Sequence, residues 1–383
     1  MEKFELPDPF EGAREQCGYG KVEDQDDPVT MLLRLRDVRK TAKNTQTFQS
    51  GAQPGRIVVP SEVNIRSTRQ IPFEVDPPMH RLYRDLLEDW FRRPEKDTYK
   101  AQLSDIISKL VQEAKSKAQV EIVNDIALKL QSRALTLLLN VPLEEAETWI
   151  SWGTHVFRSE DNPVDGDKAK ILYDYIDRQI EKALSNPGDD LYSILLNSEI
   201  EGKKLNKEEV KGVMILTFAG GRDTVINAVT NTLAYLSSNP KALPAIKEDP
   251  TMLNTAVEEL VRYFSPLTHM GRVATEDTEV CEHAIKADSR VSLCWASANR
   301  DPKTFENPNT IDLERKLNPH VGFGFGIHKC LGATHARHVL RTLLSVLAEM
   351  DVKLKMVKGD SNIEDWGEFK RKVGYDRLEM KFS

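Results

Sequence analysis

The pattern of hydrophobic and polar positions along the chain is mostly helical. Apolar residues recur three and four positions apart over 100–139 and 167–185, which predicts amphipathic helices in both ranges. Asn206 and Glu209 match a capping box, and Pro240 is the next helix stop. The roughly 30 residues between these signals, at about 1.5 Å each, predict a helix of about 45–50 Å that crosses the whole molecule.

The rest of the pattern predicts a few strands and one long loop. Residues 31–42 have the pattern of a strand or turn that leads into a helix, 279–295 that of short strands, and 373–382 that of a closing hairpin. Glycine and proline interrupt 50–72 repeatedly, which predicts a loop. The N-terminal segment 1–30 is rich in acid, proline and glycine, so we expect it to lie on the surface. The predicted fold class is mainly α with a small β region.

Composition narrows the classes of function. The 383 residues are 40% hydrophobic and 30% charged, as in globular proteins, and this length leaves the number of domains open. The net charge of −7 disfavours general nucleic-acid binding. No stretch approaches the roughly 18 apolar residues of a membrane span, and the N-terminus lacks the features of a signal peptide. We therefore expect a cytoplasmic protein that binds neither membranes nor nucleic acid.

The four cysteines are Cys17, Cys281, Cys294 and Cys330, and no two of them form a C-x-x-C pair. This spacing argues against a zinc ribbon, a disulfide framework and covalent attachment of haem. Any haem would be held without a covalent bond.

Candidate chemistry is concentrated around Cys330. Three glycines in five residues precede it, and they allow backbone N–H groups to turn toward the cysteine sulfur. Lys329, His328 and the start of a helical pattern lie beside it, so we expect the pKa of a Cys330 thiolate to be depressed. From these residues alone, a buried cysteine in an ordinary helix-entry turn is an equal alternative.

The wider motif removes this ambiguity. Phe323-Gly-x-Gly-x-His-x-Cys330-x-Gly-x-x-x-Ala-Arg337 resembles the haem-ligand loop of the cytochrome P450 family. The resemblance implies that the Cys330 thiolate ligates the iron of a b-type haem. It also implies that Phe323, Gly324, His328 and Gly332 belong to the haem pocket. His335 departs from the family pattern, in which an apolar residue is usual, and we expect it to face the electron donor.

A second motif lies in the middle of the long predicted helix. Two adjacent glycines, Gly220 and Gly221, cost about 1 kcal/mol each in a helix interior, so chance packing is a poor explanation. With Asp223 and Thr224 they resemble the family's Ala/Gly-Gly-x-Asp/Glu-Thr motif. The resemblance implies a groove for dioxygen, in which Thr224 and Asp223 deliver protons. The alternative is a helix kink with a surface aspartate.

Further motifs follow in the family's order from about residue 31 to the end. Glu259 and Arg262, with Arg315, resemble the structural triad that holds the cysteine loop. The set that resembles the ligands of the haem propionates is His80, Arg84, Arg272 and His320. Without the other motifs, the i,i+4 pair of His80 and Arg84 would be a solvated helix face.

The resemblance also places a substrate pocket. Its walls are expected to include Gly220, Gly221, Leu267, Thr268 and Met270, while His269 is expected to be a wall residue or surface contact and no second iron ligand. The loop 50–72 would cover the distal face of the haem with polar residues, most of which we expect to face water: Arg56, Glu62, Asn64, Arg66, Arg69 and Gln70. The region 143–163 corresponds to a short lid; Trp149 and Trp152 are expected in its core, and the C-terminal hairpin tip near the substrate.

Together these motifs imply one cytochrome P450 domain over 1–383, a triangular-prism helical fold without a fused reductase. Haem would lie between the long helix and the cysteine loop, and O2 would be activated with electrons from NAD(P)H. A ferredoxin or flavodoxin with its reductase would supply them at a basic patch drawn from Arg81, Arg92, Arg93, Lys329, His335, His338 and Arg341.

The polar loop and the low hydrophobicity favour a small, polar substrate. Oxidative O-demethylation of a methoxy compound such as a methylated sugar, with release of formaldehyde, is the leading hypothesis. Hydroxylation of a terpene, fatty acid or other apolar small molecule is the alternative within the family. A non-catalytic haem-thiolate sensor is the alternative of another class, and the acid–alcohol pair disfavours it because a sensor does not need one.

Overall fold

Helices make up most of the fold, as predicted. The computed structural model describes residues 6–23, 27–51, 56, 65–157 and 165–383. Its helices are α1 (Glu11–Gln16), α2 (Leu35–Lys43), α3 (Met79–Phe91), α4 (Asp97–Ser116), α5 (Lys129–Leu139), α6 (Glu145–Ser151), α7 (Gly166–Ser185), α8 (Leu191–Asn197), α9 (Lys207–Gly221), α10 (Asp223–Ser238), α11 (Ala242–Glu248), α12 (Met252–Phe264), α13 (Trp295–Ala298) and α14 (Ala333–Glu349). Among the described residues, no helix combines the length and the apolar character needed to cross a membrane.

The strands form small sheets beside the helices. They are β1 (Tyr19–Val22), β2 (Val29–Leu32), β3 (Phe48–Gln49), β4 (Val120–Glu121), β5 (Glu199–Ile200), β6 (Lys203–Lys204), β7 (His269–Ala274), β8 (Thr278–Val280), β9 (His283–Ile285), β10 (Arg290–Cys294), β11 (Leu354–Asp365) and β12 (Lys370–Phe382). One sheet has the order β1-β2-β10-β7-β3, in which β2 and β10 are parallel and the other neighbours antiparallel. The hairpin predicted at the end of the chain is longer than expected and pairs with β4.

The predicted central helix is two helices, α9 and α10. Its start is as predicted: the Asn206 side chain accepts from the Glu209 N–H, and the Glu209 carboxylate accepts from the Asn206 N–H. The prediction of one continuous helix is wrong, because α9 ends at Gly221, α10 begins at Asp223, and Arg222 lies between them as the cap of both. Gly220 and Gly221 leave the turn before the break without side chains to fill it.

Apolar side chains on α9 and α10 place both helices inside the molecule. The buried face of α10 packs with α4, α12 and α14. That of α9 packs with α5, α7 and α8, and Phe218 is fully buried there beside Trp149. Trp149 is a core residue, as predicted. Because each fully buried large apolar side chain contributes about 1.5–3 kcal/mol, this packing fixes the helix break relative to α14 and the loop before it.

Candidate active site

The break in the central helix faces the cysteine loop across an internal cavity of about 250 Å³. The residues that line it include most of those predicted: Gly220, Gly221, Thr224, Leu267, Met270, Phe323, Gly324, His328, Cys330, Gly332, His80, Arg84 and Arg272. Three predicted residues, Asp223, Thr268 and His320, are not among them. The remaining lining is largely apolar and includes Leu216, Val225 and Trp295.

The cysteine loop is a tight backbone turn that directs Cys330 into the cavity. The Cys330 N–H donates to the Phe323 carbonyl at 2.8 Å and closes the turn. Gly324 and Gly326 have φ of +73° and +76°, a conformation that other residues rarely adopt. A Cβ at Gly326 would also lie 2.7 Å from the Ala42 carbonyl oxygen on α2. The turn therefore needs glycine at both positions, as the motif predicted.

The pKa of the Cys330 thiol is not depressed. Burial raises it, and this outweighs the Gly332 N–H and the positive charges of Arg84, Arg337 and Lys329, which lower it. The prediction of a low pKa is therefore wrong for the free thiol, although the Cys330 side chain is exposed to the cavity.

One edge of the cavity carries four nitrogen-bearing side chains: His80 and Arg84 of α3, Arg272 of β7 and His328. The His80 and His328 rings are 4.3 Å apart between centroids. Burial and the nearby arginines lower the pKa of His80 to about 4 and that of His328 to about 2. The Nε2 atoms of both rings are buried without a hydrogen-bond partner among the described residues. Such a cluster fits an anionic ligand, which would satisfy these atoms.

His320 does not belong to this edge, and the prediction that it binds a propionate is contradicted. Its Nε2 is 3.0 Å from Oε2 of Glu258, and its Nδ1 accepts from the Gly322 N–H at 3.0 Å. With both ring nitrogens engaged by the protein, it has no atom for a ligand. His328, eight residues later, is the fourth nitrogen-bearing side chain at this edge of the cavity.

Glu258 holds the two ends of the cysteine loop together, a role that the sequence did not indicate. Its carboxylate accepts from Nε and Nη2 of Arg337 at 2.6 and 2.7 Å and contacts His320. Burial alone would raise the pKa of Glu258, but the hydrogen bonds and charges of Arg337 and His320 lower it to about 2. The Arg337 guanidinium also lies 4.3 Å above the Phe323 ring.

Glu259, the neighbouring residue, forms the predicted structural triad. Arg262 donates to its two oxygens at 2.8 Å each, and Arg315 Nε donates at 3.0 Å. The Asn318 side chain and the Asp312 N–H complete its hydrogen bonds. Glu259 and Arg262 are fully buried. Removing one partner of such a pair strongly destabilises the fold, because the other charge stays buried without a partner.

The helix break is fastened to the lid region by Arg222, which the sequence analysis did not single out. This residue is fully buried, and burial lowers its pKa to about 10. Its guanidinium donates to the carbonyls of Gly153 and Trp149. On the cavity side of the break, Thr224 Oγ1 donates to the Gly220 carbonyl at 3.0 Å, four residues earlier.

Asp223 points away from the cavity toward a histidine of the lid region. Its Oδ2 is 2.7 Å from Nδ1 of His155, and about a quarter of each side chain is exposed. His155 therefore connects Asp223, the residue before Thr224, to the partly exposed surface at the helix break. Sequence reasoning missed His155, because nothing in the pattern of 143–163 relates it to a helix almost 70 positions later.

Thr268 and His269 lie outside the cavity wall. Thr268 donates to Oε2 of Glu364 at 2.6 Å and accepts from Arg371 at 2.7 Å, both on the C-terminal hairpin. His269 Nδ1 is 2.5 Å from the Ser292 hydroxyl, and its ring meets Trp366 edge-on. The prediction that Thr268 lines the substrate pocket is therefore contradicted. The hairpin tip, 366–369, does not line the cavity either.

The predicted polar loop is only partly described. Arg56, Ile65–Pro72 and the ends of the loop are described, whereas Glu62 and Asn64 lie outside the described residues. Arg66 has a buried side chain that pairs with Glu74, so it does not face water as expected. The loop returns to the core where the Ile71 N–H donates to the Gly212 carbonyl on α9.

The predicted basic patch lacks His335. Arg81, Arg92 and Lys329 are exposed, as expected. His335 is 3% exposed and lines the cavity, so the expectation that it faces the electron donor is wrong.

Comparisons with known proteins agree on one family. The family model described as Cytochrome P450 matches residues 166–373. Cytochrome P450 109 of Bacillus spizizenii is 31% identical over 345 residues, which are 87% of this chain and 82% of that protein. Linalool 8-monooxygenase of Pseudomonas putida is 29% identical over 88% of this chain and 86% of its own length. A solved structure described as a carbohydrate active P450 is 64% identical over the whole of both chains, with a TM-score of 0.97.

Proposed function

The chain belongs to the cytochrome P450 family, and we propose that within this family it removes the methyl group of a methoxy compound such as a methylated sugar. P450 enzymes are monooxygenases that hold haem through a cysteine thiolate and receive electrons from NAD(P)H through redox partners. The bound haem supplies the activation of O2. The observation that carries the substrate proposal is the 64% identity, over the full length of both chains, to the carbohydrate active P450.

The residues of the cavity fit haem. Cys330 Sγ would be the iron ligand, because it faces the cavity from a turn of backbone donors. His80, Arg84, Arg272 and His328 would hold the propionates, which would give partners to the buried Nε2 atoms of the two histidines. Arg84 also donates to the Lys329 carbonyl at 2.7 Å, so it would tie a propionate to the residue before the cysteine.

Two adjacent glutamates would keep the cysteine loop in position. Glu259 with Arg262 and Arg315 holds the segment before the loop, and Glu258 joins His320 to Arg337 on either side of Cys330. These two carboxylates would therefore keep the sulfur in place together with the glycine-rich turn itself.

Proton delivery would run from His155 through Asp223 to Thr224. The 2.7 Å contact of His155 with Asp223 gives a partly exposed pair at the break. Thr224 lies in the cavity wall, and its hydroxyl donates to the Gly220 carbonyl. This orientation leaves the lone pairs of Oγ1 available to accept a hydrogen bond from a group in the cavity, and the hydroxyl would turn from the Gly220 carbonyl when it donates its own proton.

Demethylation requires one oxygen atom to enter a C–H bond of the methoxy carbon. The product, a hemiacetal, breaks its C–O bond to give the free alcohol and formaldehyde, while the second oxygen atom leaves as water with two electrons and two protons. The apolar wall beside the helix break, with Leu216, Val225 and Leu267, suits the methyl end of such a substrate.

The same apolar wall favours the second candidate, hydroxylation of an apolar small molecule. The described lining beyond the haem ligands has few polar side chains, of which Thr217 is one. Linalool 8-monooxygenase, at 29% identity, is a relative that by its name oxidises such a compound.

A spectral titration separates the two candidates. Binding of a substrate displaces the water on ferric iron and shifts the spin state, so the purified protein is titrated with methoxy sugars, the same sugars without the methyl group, terpenes and fatty acids. A shift with methoxy sugars, followed by one formaldehyde per turnover, supports demethylation. A shift with terpenes or fatty acids alone refutes it and leaves apolar hydroxylation.

We further propose that the electron donor is an acidic ferredoxin or flavodoxin. Arg81 and Arg92 have side chains 76% and 66% exposed, and Lys329 is exposed beside Cys330. Charge reversal at Arg92 should lower the rate of reduction by such a donor and reduce the salt dependence of that rate. An unchanged rate and salt dependence would contradict docking at this face.

A further inference from the structure

A second cavity, of about 120 Å³, lies on the other side of α5 from the cavity of the candidate active site. Leu135 and Leu138 of α5 line the active-site cavity, whereas Thr136 and Leu137 line the second one, and helical geometry places these two pairs on opposite faces. The second cavity lies between the segment that joins α3 to α4, the first turns of α4 and the end of α5. Most of the side chains that line it are polar, so it is chemically unlike the first cavity.

The second cavity has an excess of positive charge. Among the described residues, its lining includes two cations, Arg93 and Lys96, and no carboxylate. Neither cation forms an ion pair with a described residue. The acidic neighbours of Lys96 pair with other basic residues at 3.2 and 3.0 Å, Glu95 with Arg92 and Asp97 with Lys100. The charges of Arg93 and Lys96 are therefore available to an anion.

The Arg93 side chain is held in one orientation while part of its guanidinium stays unpaired. Its Nη2 donates to Oδ1 of Asn140 at 2.6 Å, and the guanidinium lies 4.6 Å from the centre of the Trp90 ring. The Asn140 side chain is itself fixed, because its Nδ2 donates to the Asp189 carbonyl at 3.0 Å. Nε of Arg93 is buried and has no hydrogen-bond partner among the described residues. A fixed guanidinium with N–H groups to spare suits an oxyanion, because little ordering is needed on binding.

Two uncharged donors line the same cavity. Thr98 and Gln102 are four positions apart on α4 and therefore share a helix face. Neither side chain makes a hydrogen bond to another described residue. The cavity is also several times larger than the roughly 30 Å³ that one water molecule occupies in the liquid, so it has room for a polyatomic ion.

We propose that this cavity binds an oxyanion of the size of phosphate, held by the charges of Arg93 and Lys96 and by the Thr98 hydroxyl and the Gln102 amide. Phosphate carries acceptor oxygens on all sides, so it accepts hydrogen bonds from α4 and from Arg93 at once. The site goes beyond the proposed function, because none of its lining residues belongs to the active-site cavity. Its test therefore needs neither a substrate nor a redox partner.

The test is a calorimetric titration of the purified haem protein with inorganic phosphate, in which sodium chloride keeps the ionic strength constant. Arg93→Gln removes the guanidinium charge but keeps an amide donor, and Lys96→Gln removes the ammonium charge. Lys109→Gln is the matched control, because Lys109 is 64% exposed on α4 and lies outside the cavity. The same titration with glycerol phosphate distinguishes a site for the free ion from one for a phosphate monoester.

We expect the wild type to bind one phosphate per chain. Arg93→Gln should raise the Kd about tenfold or more, because a charged donor is replaced by a neutral one. Lys96→Gln should raise it about threefold, since water screens the exposed ammonium, and Lys109→Gln should leave it unchanged.

Equal Kd values for Arg93→Gln and Lys109→Gln would overturn the proposal, because phosphate would then bind elsewhere on the protein. The absence of binding by the wild type up to about 10 mM phosphate, a range that covers a Kd of about 1 mM, would overturn it as well. If Arg93→Gln does not fold, an unchanged Kd for Lys96→Gln refutes the proposal.

Discussion

Glu258→Gln tests how strongly the cysteine loop depends on the carboxylate that joins its two ends. The substitution keeps the size of the side chain and removes its charge, so Arg337 and His320 lose their ionic partner. The pKa of Glu258 is lowered from its usual 4.5 to about 2. At 1.36 kcal/mol per unit, this corresponds to about 3 kcal/mol of stability. Because about a quarter of the side chain is exposed, solvent screening reduces the expected loss to about 1–2 kcal/mol.

The pH dependence of this loss follows from the direction of the shift. A carboxyl whose pKa is depressed in the folded state stabilises the fold fully above its unfolded pKa of 4.5, and this contribution is lost as the pH falls toward 2. The wild type should therefore be more stable than Glu258→Gln at pH 7, and the difference should shrink by about 1 kcal/mol or less on going to pH 4.

Urea unfolding of the haem protein, followed by tryptophan fluorescence and by the Soret band, measures this difference at both pH values. Glu248→Gln is the matched control, because Glu248 is exposed at the end of α11. Equal midpoints for Glu258→Gln and Glu248→Gln at pH 7 would refute the reasoning. So would a difference that grows as the pH is lowered.

Three further predictions concern the cavity and the helix break. Thr224→Ala should divert electrons from product into hydrogen peroxide, measured as peroxide per NAD(P)H consumed; unchanged coupling would contradict its role in proton delivery. Arg272→Ala should weaken haem retention, measured as the rate of haem transfer to apomyoglobin, whereas exposed Arg92→Ala should leave it unchanged; equal rates would count against the propionate assignment. His155→Gln should slow turnover and increase the solvent deuterium isotope effect, as Asp223→Asn should; a normal rate in the histidine variant would remove it from the proton path.

Local signals in the sequence predicted the elements that local interactions form. The capping box at Asn206 needs only residues three positions apart, and the cysteine loop needs glycine where φ is positive, so both could be found without a structure. The triad of Glu259 and Arg262 is likewise an i,i+3 pair on one helix. From these features the sequence predicts most of the fold class and the position of Cys330.

Contacts between distant segments could not be predicted in this way. Glu258, Arg337 and His155 are charged or polar residues whose pattern is that of a surface, and only the packing of α12, α14 and the lid region gives them partners. His335 was expected at the surface for the same reason.

The direction of side chains in irregular backbone was equally hidden. His320 and His328 both flank the glycine turn, and which one enters the cavity depends on backbone angles that the sequence does not state. Thr268 precedes β7, whose alternation places Met270 and Arg272 in the wall. The positive φ of Ser265 shows that the chain turns before the strand, so the alternation does not extend back to Thr268.

The buried Arg222 has a mechanical consequence for the molecule. Its positive charge is held inside the protein by the carbonyls of Trp149 and Gly153, and pulling this stretch away would strand a cation in an apolar interior at a cost of several kcal/mol. The stretch around Gly153 and the kink of the central helix therefore behave as one rigid body. A motion of this stretch must therefore carry the kink with it, so the position of the stretch and the shape of the cavity wall at Gly220 and Gly221 are coupled.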